Sequence, residues 1–247
     1  MKTIYIEDEI TEYIDLDSLK INSNQIINKI KQLNILENKK SYKSIFYNIQ
    51  TDDIIIRNIE NINISNKKDI KGIIKYNINQ YMSINLEEYE MRYKIINKTG
   101  HIATIQTILF PKYLINLCKL ISKDLGIKMQ SINANFDILQ KLIYKNMINN
   151  IKENSVFLDI RKNEFIINKV KNNIVIESYI IPINDYLKNY INKLQSLETN
   201  LYFYGQQNFE YKSINKISLN NEDKTIKICD KLDQDISKYI NSIGIVI

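Results

Sequence analysis

The chain has 247 residues, of which 44% are hydrophobic and 25% charged, with a net charge of +6. That is room for one large domain or two small ones, with the composition of an ordinary soluble globular protein. Two distant cysteines, Cys118 and Cys229, and a single histidine, His101, exclude a Cys/His zinc site and argue against a disulfide framework. Without a second histidine or a GxSxG motif, a Ser–His triad has no support. Ile, Asn, Lys and Tyr are used heavily, Trp is absent, and there are 5 Gly and 2 Pro. That bias is the mark of an AT-rich genome, so the lysines carry less meaning than usual. The charge is read as a solvated basic surface, and no nucleic-acid partner is expected. The opening "MKTIYIEDEI" turns acidic after six residues, and no apolar run approaches the ~20 residues of a membrane span. A cytoplasmic location follows as the expectation.

In chain order, "TIYI" and "TEYIDL" read as strands around the acidic turn Glu7-Asp8-Glu9. Ser23 is expected to cap a helix with Ile26, Ile27, Ile30 and Leu33 on one face. Strands "SIFYNI" and "DIIIRNI" follow, and Ser65 or Asn66 opens a helix striped by Ile70, Ile73, Ile74, Ile78 and Tyr81. Strands "YEMRYKII" and "IATIQTILF" flank a turn at Thr99-Gly100, with His101 as a surface loop residue. Pro111 suits the first turn of the helix "KYLINLCKLISKDLG", in which Cys118 is a core thiol and Gly126 a C-cap. A strand around Met129 to Ile132 and the helix "FDILQKLIYKNMI" come next. The stretch "VFLDIRKNEFIINKVKNNIVIESYII" gives three strands around two turns. The chain closes with helix "DYLKNYINKLQSL", strands "LYFYG" and "TIKIC", and helix "DISKYINSIG". Hairpins alternating with helices make this an α/β or α+β chain of two related halves.

Three passages, in order, resemble one family. They are "IIIRNIENINISNKKDIKGIIKYNINQYMSINLEEYEMRYKII", "ILFPKYLINLCKLISKDLGIKMQSINANFDIL" and "VFLDIRKNEFIINKVKNNIVIESYIIP". The series resembles PilM proteins of type IV pilus assembly, members of the actin/FtsA-like superfamily. The cytoplasmic part of the type II secretion protein GspL is a closer rival than FtsA. The resemblance implies an actin-like (ribonuclease H-like) α/β fold of two halves with a small inserted α+β subdomain. Residues 1–41 and 108–150 would form the first half, 42–107 the insert and 151–231 a reduced second half. The helix at 232–247 would pack back on the first half. Only "INDYLKNYINKLQSLETNLYFY" lies between Pro182 and Gly205, so the helical subdomain that covers adenine in the family is expected to be missing.

Actin-like ATPases hold phosphates between two hairpins, where glycine lets backbone N–H groups approach the ligand. Where the resemblance places the first of these, the chain has Glu7, Asp8 and Glu9, three acids and no glycine. At the second, Asp159 keeps the acid, but Arg161 stands in the place of glycine. The adenosine-binding glycines survive only as Gly205, for which a plain turn is the expected role. The resemblance therefore implies a scaffold that has lost nucleotide binding, with Glu7, Asp8, Asp159, Arg161 and Gly205 as remnants. No catalytic residue, cofactor or metal is expected. An active ATPase of pilus, secretion or division machinery, using ATP and Mg, is the alternative. The implied partner is the N-terminal cytoplasmic peptide of a PilN-like inner-membrane protein, with other pilus platform proteins possible. Membrane contact would come only through that partner. Arg57, Ile73, Tyr76, Tyr81 and Tyr93 are the candidate peptide-binding residues.

Overall fold

The computed structural model describes residues 23–28, 44–65, 69–148, 151–161, 164–182, 190, 193, 200–205 and 215–216. The expected strands "TIYI", "TEYIDL" and "TIKIC", the closing helix, and Glu7 and Asp8 lie outside them. Contacts divide the chain into two compact units, residues 1–49, 53–55 and 59–133, and residues 50–52, 56–58 and 134–247.

In the first unit, residues 23–28 are helical (α1), and Ser23 lies within the helix rather than before it as a cap. Strand β1 (Ser44–Ile49) pairs with β5 (Lys128–Ala134). A three-stranded sheet of order β2-β4-β3 joins β2 (Ile55–Asn63), β4 (Ile102–Pro111) and β3 (Tyr89–Thr99). Its hairpin turns at Gly100, whose φ of 60° suits a residue without a Cβ. Helix α2 (Ile70–Tyr81) covers one face of this sheet, burying Ile70, Ile74 and Ile78 against Ile62, Ala103, Ile105 and Leu109. Helix α3 (Lys112–Leu125) starts directly after Pro111 and ends at Gly126, a left-handed C-cap as expected. Its Leu117, Ile121 and Leu125 pack with Ile27 of α1 and with Ile45 and Tyr47 of β1.

Two sequence expectations about α2 need correction. The helix opens at Ile70 with Asp69 as N-cap, not at Ser65 or Asn66. The Ser65 backbone N–H and hydroxyl are both directed to the Asn63 side-chain oxygen, a local turn that competes with helix initiation. Tyr81 does not close the apolar stripe, because it is 82% exposed at the helix end.

In the second unit, helix α4 (Asn135–Tyr144) precedes a sheet of order β10-β9-β6-β7-β8. Its strands are β6 (Asn154–Ile160), β7 (Glu164–Lys171), β8 (Ile174–Pro182), β9 (Asn200–Gly205) and β10 (Asn215–Lys216). β6, β7 and β8 are antiparallel neighbours, whereas β9 runs parallel to β6 and β10 parallel to β9. One face carries Val156, Leu158, Ile160, Phe165, Ile167 and Leu201. Residues 155–160 of β6 are all buried, so "VFLDI" shows no apolar–polar alternation, as befits a strand covered on both faces. The β7–β8 turn is Asn172-Asn173, with φ of 51° and 63°, the geometry of a two-residue hairpin turn. Gln140 of α4 clasps that turn. Its amide nitrogen donates to the Asn173 carbonyl (2.8 Å) and its oxygen accepts from the Val175 backbone N–H (2.6 Å).

Candidate functional site

The strand register brings the polar residues of the second unit together. Asp159 pairs with Ile166 and with Tyr204, so these side chains share one face, and Phe157 pairs with Asn168 on that same face. Asp159 is fully buried and Arg161 is 8% exposed. Arg161 folds back so that its Nη2 donates to Asp159 Oδ2 at 2.8 Å. The same oxygen accepts from Asn135 Nδ2 at 2.7 Å. Asn135 is the first residue of α4, where the positive end of the helix dipole also favours a carboxylate. Asn168 Nδ2 and the Tyr204 hydroxyl in turn approach Asn135 Oδ1, at 3.3 and 3.5 Å. The Arg161 backbone N–H closes the β6–β7 connection onto the Glu164 carbonyl (2.9 Å).

Gly205 is not the plain turn that the sequence led us to expect. It ends β9 opposite Ile160, with a φ of 117°. A Cβ there would lie 2.3 Å from the Ile160 carbonyl oxygen, 2.6 Å from its nitrogen and 2.9 Å from Asp159 Oδ1. Two parallel strands thus end in backbone contact, with Asp159 and Arg161 beside them. The guanidinium and the amide both hold the carboxylate through the one oxygen Oδ2.

Sequence reading named Asp159, Arg161 and Gly205 but missed Asn135, Asn168 and Tyr204. A signal was available for Asn168, a polar residue inside the apolar run "FIINKV". None existed for Asn135, which meets Asp159 only through the packing of α4 on the sheet.

The first unit contains a cavity of about 290 Å³ lined by Lys71 and Lys75 of α2, Leu86, Glu87, Tyr89, Glu90 and Met91, and Lys112 of α3. Leu86–Glu88 form a 3-10 turn whose Glu87 N–H is capped by the Asn85 side chain. Glu90 is paired with Arg92 at 2.8 Å. The Tyr89 hydroxyl is pushed above its ordinary range, first by burial and then by the carboxylates of Asp53 and Glu88. None of the five candidate peptide-binding residues lines this cavity. Ile73 and Tyr93 pack against the core beneath α2, whereas Tyr76 and Tyr81 are exposed. Arg57 is exposed in β2 and is counted with the second unit.

No family model and no curated protein matches the chain. Among solved structures, a chain of a PilM–PilN type IV pilus biogenesis complex aligns with a TM-score of 0.63 at 10% identity, covering 91% of this chain and 84% of its own. The chain shares the fold of that pilus-complex chain. Two looser likenesses accompany it. The cytoplasmic domain of EpsL, an inner-membrane component of the Vibrio cholerae type II secretion system, gives a TM-score of 0.46 at 12% identity, covering 72% of this chain and 68% of its own. A Bacteroides thetaiotaomicron protein with an actin-like ATPase fold and unknown function gives 0.38 at 11%, covering 73% and 68%. Within this fold, Asp159 and Arg161 occupy the β6–β7 hairpin of a mixed sheet. The lysine-lined cavity belongs to the other unit. Among the described residues, no helix is long and apolar enough to cross a membrane.

Proposed function

We propose that this chain is a cytoplasmic scaffold of type IV pilus assembly that neither binds nor hydrolyses ATP. It recruits the N-terminal cytoplasmic peptide of a PilN-like inner-membrane protein, and so sits at the inner face of the membrane. The observation that carries the reading is the fold shared with the pilus-complex chain, combined with an Asp159 carboxylate already engaged by Arg161. A scaffold needs a stable groove with an apolar floor and a few oriented polar groups, and no hydrolysis. The cavity that joins α2, the start of β3 and Lys112 offers Leu86 and Met91 as floor and Tyr89 and the lysines as polar contacts.

Two titrations test the proposal. A synthetic N-terminal peptide of a PilN-type protein from the same genome should bind in calorimetry, and Lys112→Glu should weaken it. Mg-ATP should give no heat. Micromolar Mg-ATP binding, or phosphate release abolished by Asp159→Ala, would replace the scaffold with the active ATPase. Failure of the peptide to bind would remove the pilus partner.

A further inference from the structure

The exposed helix faces of the first unit carry a charge pattern that extends beyond the three cavity lysines used by the partner reading. Helix α2 contains Lys71 and Lys75 and no acid. Helix α3 contains Lys112, Lys119 and Lys123, with Asp124 as its one acid. All five lysines are exposed. Lys71, Lys75 and Lys112 line one cavity, where the start of α3 meets α2. Positions 112, 119 and 123 lie seven and four residues apart, a spacing that keeps them on one side of α3 with the uncharged Asn116 between them.

We infer that the surface carrying Lys71, Lys75, Lys112, Lys119 and Lys123 docks directly on an anionic phospholipid surface. Lysines near an anionic surface gather headgroups additively. A nucleic acid fits less well. Neither helix contains an arginine, so no planar fork is present to grip a phosphodiester at two points. Two acids of the cavity, Glu87 and Glu90, oppose the field, but Glu90 is already paired with Arg92. The sequence reading brought the membrane in only through the partner; this face gives the chain a contact of its own, and it stands whether or not the partner is PilN-like.

The test is vesicle co-sedimentation of the full chain without any partner peptide. Vesicles of phosphatidylcholine with 30% phosphatidylglycerol (a probe composition, roughly that of an anionic leaflet) should retain the protein. Pure phosphatidylcholine should not, and high salt should release it. Lys119→Glu with Lys123→Glu lies away from the cavity lining. It should weaken retention by about 25-fold or more, taking roughly fivefold for each lysine lost. Circular dichroism of that variant should match the parent, which separates lost docking from lost folding. Four outcomes would each overturn the inference. They are no retention on anionic vesicles, equal retention on neutral ones, an unaffected double variant, and capture by a DNA or RNA oligonucleotide while vesicles leave the protein in solution. Partner-peptide binding is measured separately, so failure here leaves the scaffold proposal standing.

Discussion

Replacing Arg161 by methionine keeps most of the side-chain volume while removing the guanidinium. Asp159 would then remain in a layer where it is fully buried, its side chain 0% exposed and that of Arg161 10%. Those exposures exclude the 0–1 kcal/mol typical of a surface pair. Breaking a buried pair by deleting one partner costs about 3–5 kcal/mol. Asn135 still donates at 2.7 Å, so the lower end, about 3 kcal/mol, is expected. With a urea slope of about 2–3 kcal/mol/M, the unfolding midpoint should fall by roughly 1–1.5 M. Hydrogen exchange of β6 and β9 amides should accelerate in parallel. Combining Asp159→Leu with Arg161→Met removes both charges and should recover most of the loss, because exchanging a whole buried pair for apolar residues is close to neutral. If the single variant costs less than about 1 kcal/mol, or the double variant is no better than the single, the account of a carboxylate dependent on its arginine is wrong.

Two glycines with positive φ should respond differently to alanine. At Gly126 nothing lies within 4 Å of the added Cβ, so only the left-handed backbone is penalised, by about 1 kcal/mol in a thermal or urea melt. At Gly205 the Cβ meets Ile160 backbone, and about 3 kcal/mol or more should be lost as β9 is forced from β6. Ile74→Ala empties the fully buried centre of α2 and should cost about 2–5 kcal/mol by denaturant titration. Burial pushes the Cys118 thiol up to about 12, so in a Cys229→Ser background it should resist iodoacetamide at pH 8 and react once urea unfolds the chain.

The sequence carried most of the described elements, for reasons that are local. The apolar spacing of Ile70, Ile74 and Ile78 and the glycine after Leu125 were sufficient to set α2 and the end of α3. Its failures also have physical causes. Ser65 carries a capping side-chain type, but Asn63 takes up its N–H and hydroxyl, and the helix waits four more residues. Tyr81 has the right spacing for the stripe, yet helical phase says nothing about where the underlying sheet ends. The candidate site was half legible. Asp159 and Arg161 stand two apart in the chain and can be weighed against each other on paper. That they close on one another, and that Asn135 is the third member, depends on a helix packed across the sheet. Gly205 looked like punctuation because the sequence hides that its Cα faces the Ile160 peptide.

The clasp made by Gln140 has a consequence for how this chain finds its structure at all. The β7 and β8 segments repeat isoleucine and valine at close spacing, so strand alignments two residues apart would bury similar apolar groups. Hydrophobicity alone is then a poor judge between the right pairing and a slipped one. Gln140 reads backbone rather than side chains. Its amide matches one carbonyl and one N–H across the Asn172-Asn173 turn, and a slipped hairpin presents neither. One buried amide thus works as a proofreading contact, rejecting misaligned hairpins that the apolar core would accept.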